Sequence, residues 1–372
     1  MSDNTMHESG PVSDNDEPAS TGSPADELGT PPHAAEILGL RMPLGIGTML
    51  WGDTPLDRRI TDRILSDDLL RLIRERAHAA GVRFVDTAEG YGGGSCEARV
   101  RRAGFTSPDM LVATKFLPAL WRWSARSVVR AARNSARRLG TPRIDLLYIH
   151  SPIHPRRPDA WIRGAARAVR AGLVRRVGVS NFNARQLEHA VQIARQEGIE
   201  IISNQIMFSP IVYGAASLRD TVRRCRELGV APVGFGTVGQ GLLGAGLTPE
   251  RLRSIRLARI AKIGFDDLEP LRRTIAAIAD RHRCAMGQVC IRWAIAKGVV
   301  PLVGIRSLGR LEDAVGATHV ALSAAEIEEI DSHSLAHSTF DRPRRRRAVF
   351  VILISLLMLA YRVSRVVPIS GH

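Results

Sequence analysis

From residue 43 onward the chain alternates short apolar runs with longer amphipathic stretches, at a repeat of about 30 residues. The runs are MPLGIGT near 42–48, FVDT at 84–87, MLVATK at 110–115, IDLLYIH at 144–150, VRRVGVS at 174–180, EIISNQI at 200–206, VAPVGF at 230–235 and VVPLVGI at 299–305. Between them, apolar residues recur at helical intervals. Eight strand–helix units predict an α/β fold, a closed (β/α)8 TIM barrel. A doubly wound open sheet is the alternative, but it should begin with a glycine-rich strand-to-helix phosphate turn, and the chain has none. Helix starts agree with the parse: Ser124 precedes 125–140, Asn183 stands three before Gln186, and Ser323 stands three before Glu326. Segment 237–270 is too long for an ordinary strand–helix connection and reads as a lid or insertion.

The two ends break this rhythm. Residues 1–36 are rich in Ser, Pro, Gly, Asp and Glu, with no Lys or Arg before Arg41, which predicts a disordered acidic tail and not an Arg-rich transit peptide. A single barrel domain is expected over 37–338, within the 372-residue chain. The basic-flanked segment 341–372 holds an apolar run of 14 residues, Ala348 to Tyr361, between Arg344–Arg347 and Arg362. As a helix this run is about 21 Å long, short of a bilayer core of about 30 Å. Three readings stand: a short transmembrane tail anchor with snorkelling arginines, a helix capping the barrel, and an amphipathic surface anchor. All-round apolarity weighs against the last, and the missing polar face against the second. Membrane attachment through 348–361, from the cytoplasmic side, is the resulting expectation.

Composition adds limits. The 45% apolar content suits a globular core, and the net charge of +15 comes from 49 arginines and only three lysines, Lys115, Lys262 and Lys297. Such a uniform arginine bias makes any single Arg weak evidence. No recognition motif accompanies it, so no nucleic-acid partner is expected. Cys96, Cys225, Cys284 and Cys290 form no CxxC pair, which fits a reducing compartment, and no metal site is assigned.

The chemistry lies at the strand ends. Asp86 ends FVD, Lys115 ends MLVATK, His150 ends IDLLYIH, Ser180 and Asn181 end VGVSN, and Gln205 falls late in IISNQ. In a barrel these ends form one mouth, where active sites sit. Each residue alone reads as an ordinary rim or core position; six converging do not.

The spacing Asp86-Thr-Ala-Glu-Gly-Tyr91, with Lys115 in MLVATK and His150 in YIHSP, resembles the signature of the aldo-keto reductases. The resemblance runs from about 38 to 335 and takes in GVSNFN at 178–183, SNQ at 203–205 and GIRSLGRLEDAVGA at 304–317. It is greatest to the plant and cyanobacterial-type branch that includes pyridoxal reductase-like members. The resemblance implies hydride transfer from NADPH to an aldehyde or ketone. Tyr91 would protonate the carbonyl oxygen, Lys115 held by Asp86 would lower the tyrosine's pKa, and neutral His150 would orient the carbonyl.

The same resemblance assigns Ser180, Asn181 and Gln205 to the nicotinamide carboxamide and Phe235 to stacking on its ring, where Tyr is usual. The family's Ser-Pro-Leu is Gly236-Thr237-Val238 here, so backbone amides are left to hold the pyrophosphate, with Gln240 and Arg256 closing over it. Arg306 and Arg310, at the start of the last barrel helix, suit an adenosine 2'-phosphate, against the alternative of a solvated arginine face. The family's Glu-Asn pair is Asp313-Ala314, which weakens adenine contacts. Trp51 follows the first strand and reads either as a substrate-pocket wall or as a packing residue. The reading is an NADPH-dependent carbonyl reductase, a monomer acting on a small molecule; the alternative is an NADPH-binding regulatory or scaffold subunit with vestigial turnover.

Overall fold

The computed structural model describes Met1 and residues 32–61, 63–152, 158–254 and 263–336. Eight parallel strands close in chain order, β8 pairing with β1: β1 (Gly45–Gly47), β2 (Phe84–Asp86), β3 (Leu111–Phe116), β4 (Ile144–Ile149), β5 (Val174–Ser180), β6 (Ile201–Met207), β7 (Ala231–Phe235) and β8 (Val300–Gly304). The described helices are α1 (Pro32–Leu38), α2 (Pro55–Ile60), α3 (Asp67–Ala79), α4 (Ser95–Arg102), α5 (Ala125–Leu139), α6 (Asp159–Arg170), α7 (Ala184–Gln196), α8 (Ala216–Glu227), α9 (Pro249–Ser254), α10 (Phe265–Arg281), α11 (Met286–Ala296), α12 (Leu308–Gly316) and α13 (Ala324–Ser332).

Successive strand residues face opposite sides, so each strand feeds two cores. Val85, Val112, Leu147, Val177 and Val179 pack outward against the helices. Phe84, Ala113, Leu146, Tyr148, Val233 and Leu302 fill the barrel itself. Glycine makes room for the large members: a Cβ on Gly178 would lie 2.5 Å from Tyr148 Cε1, and one on Gly45 would lie 2.5 Å from Leu302 Cδ2. The Tyr148 hydroxyl bonds Ser203 Oγ at 2.9 Å, which donates to the Ala231 carbonyl at 2.9 Å, so this interior phenol is fully partnered. Two steps beyond Phe84, Ala113 and Tyr148 on the same inward rows come Asp86, Lys115 and His150. The fold therefore delivers those polar residues to the mouth.

The barrel floor is α1. Its Ala34, Ala35 and Leu38, with Leu40, join the interior core, so the folded unit starts by Pro32 and not at 37. The expected acidic tail otherwise falls on 2–31, outside the described residues.

Asn183/Gln186 and Ser323/Glu326 form reciprocal capping boxes on α7 and α13. Ser124 departs from expectation: its hydroxyl meets Ser127 Oγ at 3.2 Å and caps no backbone N–H. The connection after β7 ends earlier than 270, because α10 starts at Phe265, where Asp267 accepts from the Gly264 amide at 2.7 Å.

The membrane expectation is corrected. Among the described residues no helix is long and apolar enough to cross a membrane, and the run 348–361 lies outside them. A transmembrane helix, membrane attachment and tail-anchored cytoplasmic placement therefore lose their support.

Candidate active site

After β2 the chain leaves through Thr87 to Gly90, and Tyr91 opens a single 3-10 turn, Tyr91–Gly94. Gly92, Gly93 and Gly94 have φ of 52°, 58° and 94°, a left-handed path that glycine follows without steric penalty. At Gly92 the approach is also close: a Cβ there would sit 2.3 Å from Ser95 Oγ and 3.0 Å from Asp57 Oδ2. The tight turn brings the phenol back over the mouth.

There Lys115 Nζ is fully buried and forms an ion pair with Asp86 Oδ2, while donating to the Thr87 carbonyl at 2.9 Å and to Tyr91 OH at 3.3 Å. Three acceptors match the ammonium's three protons. Asp86 Oδ1 accepts from Gln205 Nε2 at 2.8 Å. The His150 ring stands edge-on to Tyr91, with centroids 5.8 Å apart and planes at 79°. Its buried Nδ1 has no partner among the described residues. Asp86, Tyr91, Lys115 and His150 thus come together from three strands and one loop.

Burial and charge set their protonation. Burial pushes the His150 imidazolium down, and the Lys115 charge pushes it further, to about 3, so the ring is neutral at pH 7. Burial alone would lower Lys115, but the charge of Asp86 and the hydrogen bonds to Asp86 and Tyr91 outweigh it and hold its pKa above the usual lysine value. For Asp86, burial raises the pKa against the opposing pull of Lys115 and Gln205. Tyr91 corrects the sequence expectation: burial of the phenol wins, so its pKa lies above the ordinary tyrosine value although Lys115 draws it down. The hydroxyl keeps its proton at neutral pH.

Along the mouth, Asn181 takes a left-handed conformation with φ of 64°. Its Nδ2 donates to the His150 carbonyl at 3.1 Å and to Ser180 Oγ at 3.0 Å, and its amide donates to the Gln205 carbonyl at 2.8 Å. Half-buried Phe235 ends β7. Beyond it Gly236, Gly239, Gln240 and Gly241 have φ of 72°, 61°, 57° and 98°. The Gly239 amide donates to the Gly236 carbonyl at 2.8 Å and the Gly241 amide to the Val238 carbonyl at 3.2 Å, so these left-handed residues close a tight turn in which two N–H groups are already used, and the usual Ser-Pro-Leu is absent. Gln240 is exposed in this turn, and a non-glycine residue in this conformation is uncommon.

Arg310 is exposed in the first turn of α12, whose N-cap Ser307 accepts from the Arg310 amide at 3.3 Å. Arg306 donates from Nη2 to the Arg63 carbonyl at 3.0 Å, which ties β8's exit to the loop before α3. Arg256 lies outside the described residues. Trp51 is packed: it is 1% exposed, its Nε1 donates to the Ile305 carbonyl at 2.8 Å, and its ring meets Phe105 at 5.5 Å. It presents no open wall.

Two features escaped the sequence reading. Met49 and Leu50 after β1, and Leu120, Trp121 and Trp123 after β3, are exposed on the mouth-side loops. The signal was present in FLPALWRW at 116–123, an aromatic-rich stretch where a polar loop is normal. The second is Glu89, which lies between Asp86 and Tyr91 and pairs with Arg122.

Comparison with known proteins accords with this geometry. The model of the aldo/keto reductase family matches residues 43–335. The chloroplastic pyridoxal reductase of Arabidopsis thaliana is 30% identical over 289 residues, 74% of this chain and 78% of that protein. The NAD/NADP-dependent indole-3-acetaldehyde reductase of Schizosaccharomyces pombe is 26% identical over 81% of this chain and 94% of its own length. The Bombyx mori aldo-keto reductase AKR2E4, solved in complex with NADP, superposes with a TM-score of 0.60 at 25% identity, covering 79% of this chain and 90% of that one. The chain belongs to the aldo/keto reductase family, as an NADPH-dependent oxidoreductase that transfers hydride between cofactor and a carbonyl or alcohol group.

Proposed function

We propose that the chain reduces apolar aldehydes or ketones, with Tyr91 as proton donor, Lys115 and Asp86 as its electrostatic support, and His150 as the neutral group that orients the carbonyl. The observation that carries this is the phenol 3.3 Å from a saturated, buried ammonium with a neutral imidazole beside it. The bound NADPH supplies the hydride. As hydride reaches the carbonyl carbon, negative charge grows on its oxygen; the ammonium's three protons are engaged, so Tyr91 OH, which accepts from Lys115, is the donor. The resulting phenolate faces Lys115. His150 meets the same oxygen from the other side, and its neutrality leaves the ammonium as the cluster's single positive charge.

The cofactor roles follow the same reading. The turn at 239–241 lies against the pyrophosphate, with the exposed side chain of Gln240 as its contact. Ser180 and Asn181 face the carboxamide and Phe235 the ring. Gln205 has a double task, since its amide nitrogen already braces Asp86. Exposed Arg310, with Arg306 beside it, fits the 2'-phosphate and accounts for NADPH preference. We also assign the chain to the pyridoxal reductase-like branch, on the identity with the Arabidopsis thaliana protein. The exposed apolar and aromatic residues at the mouth favour carbonyls with an apolar body.

The test is consumption of NADPH, followed by its absorbance, across aliphatic, aromatic and pyridine-type aldehydes and ketones. Single-turnover oxidation of bound NADPH separates this enzyme from a cofactor-binding regulatory subunit. No turnover with any carbonyl, despite tight NADPH binding, would favour the subunit.

A further inference from the structure

Glu89 lies three residues after Asp86 and two before Tyr91, yet its carboxylate engages the next loop. Its Oε1 accepts from the Leu117 amide at 2.7 Å and from Arg122 Nη1, and its Oε2 accepts from Arg122 Nη2 at 3.2 Å. Arg122 Nη1 also donates to the Leu117 carbonyl at 2.9 Å, and the guanidinium covers the Phe116 ring at 4.4 Å. The Arg122 carbonyl accepts from Trp161 Nε1 of α6 at 2.8 Å. Glu89 N donates to the Lys115 carbonyl at 3.3 Å, and a Cβ on Gly90 would lie 2.9 Å from Leu117 Cδ2.

These contacts fold segment 117–122 onto itself and fasten it to the turn that carries Tyr91. The fastening is a two-pronged ion pair whose side chains are only 9% and 12% exposed. A surface pair contributes little, but a pair this withdrawn leaves an uncompensated charge when either partner is removed. Arg122 stands between Trp121 and Trp123, which are 39% and 54% exposed at the mouth. Indole rings held rigidly beside a pocket bind an apolar ligand without the entropy loss of ordering a loose loop.

We propose that Glu89 and Arg122 are positioning residues that set specificity: they fix Trp121 and Trp123 as a wall for bulky aromatic or apolar carbonyls and hold that wall in register with Tyr91. This rests on the carbonyl-reductase reading above.

The experiment compares kcat and KM for propanal and for 2-naphthaldehyde in the full chain and in Glu89→Gln, Arg122→Met and the double variant, with NADPH affinity by fluorescence quenching. Each single variant should raise KM for 2-naphthaldehyde by tenfold or more while KM for propanal and NADPH affinity stay within threefold. The double variant should be no worse than the worse single, because no charge is left unpartnered. Arg122→Lys, which keeps the charge but not the fork, should fall between. If the two aldehydes' KM values move together, or neither moves, while the wild type reduces both, the specificity role is wrong. A wild type that reduces neither overturns the carbonyl-reductase reading instead. Should the charge variants melt out, Trp121→Ala/Trp123→Ala leaves the pair intact and decides the matter: unchanged KM for 2-naphthaldehyde means no wall.

Discussion

Asp86→Asn keeps the shape of the side chain and removes one charge from a pair whose lysine is fully buried. Lys115 then faces two choices at pH 7. It can stay charged without its counter-ion, at about 3–5 kcal/mol, the usual penalty for breaking a buried pair. Or it can lose its proton, and from an unfolded-state pKa near 10.4 that costs at most about 5 kcal/mol. Both routes give a similar loss, on the order of 10 °C in Tm at roughly 2–4 °C per kcal/mol. The pH dependence is the diagnostic part. In the wild type the folded pKa of Lys115 is raised, so its contribution is intact below the unfolded value and fades only as pH climbs through the folded one. In Asp86→Asn burial is no longer offset, the folded pKa drops below the unfolded value, and stability rises with pH between the two. The stability gap should therefore shrink from pH 7 to pH 10, to about 1 kcal/mol or roughly 2–4 °C in Tm. Turnover should fall by about a hundredfold or more, because Lys115 no longer favours the phenolate. Urea or thermal melts at four pH values check this, and a gap independent of pH would refute the account of Lys115 as a cation held by Asp86.

Tyr91→Phe should nearly abolish carbonyl reduction while NADPH still binds, read by turnover and fluorescence quenching; near-normal turnover would remove the phenol from the mechanism. Because His150 titrates at about 3, the pH–rate profile from 5 to 8 should carry no inflection from it; an inflection near 6.5 that vanishes in His150→Gln would contradict a neutral ring. Replacing Arg306 and Arg310 together should weaken NADPH binding far more than NADH binding, at about tenfold per charge-assisted hydrogen bond lost, and equal weakening would mean that neither meets the 2'-phosphate. Trp51→Ala should lower stability by about 3–5 kcal/mol in denaturant melts, as for a core tryptophan, and a stable variant with altered KM would return Trp51 to the pocket.

The sequence carried the barrel because its signal is local: strand-length apolar runs, spaced by amphipathic helices, with Asp86, Lys115 and His150 at their ends. Capping boxes at Asn183 and Ser323 were equally readable, since three residues and one turn decide them. What escaped depends on tertiary contact. The helix Pro32–Leu38 is too short to hold alone and forms against the barrel floor, so composition assigned most of it to the tail. Trp51 was placed at the right strand exit, but the bond from its amide to the Thr48 carbonyl, at 2.9 Å, closes a turn whose outcome is a buried indole. Glu89 and Arg122 are 33 residues apart and have no pattern in common.

The error over Tyr91 shows what the site must balance. Sequence reasoning sees only the cation and predicts a lowered pKa; burial, which no motif encodes, acts on the same phenol in the opposite direction and prevails. The balance matters for the proposed chemistry. A phenol whose pKa fell below the ambient pH would lose its proton to solvent before any carbonyl arrived, whereas a buried phenol without Lys115 would leave its conjugate base in an apolar medium, at prohibitive energy. With both present, the proton stays until charge develops on the substrate oxygen, and the phenolate forms beside an ammonium 3.3 Å away. His150 takes part in the same balance. A second cation here would repel Lys115 and pull the phenol toward ionisation, and the low pKa that burial and Lys115 impose on the imidazole prevents it. The resting cluster then holds one anion at Asp86, one cation at Lys115 and, at Tyr91, a phenol that still carries its proton. That arrangement is neutral overall, so it tolerates burial, and the proton's departure is coupled to the appearance of negative charge on the carbonyl oxygen.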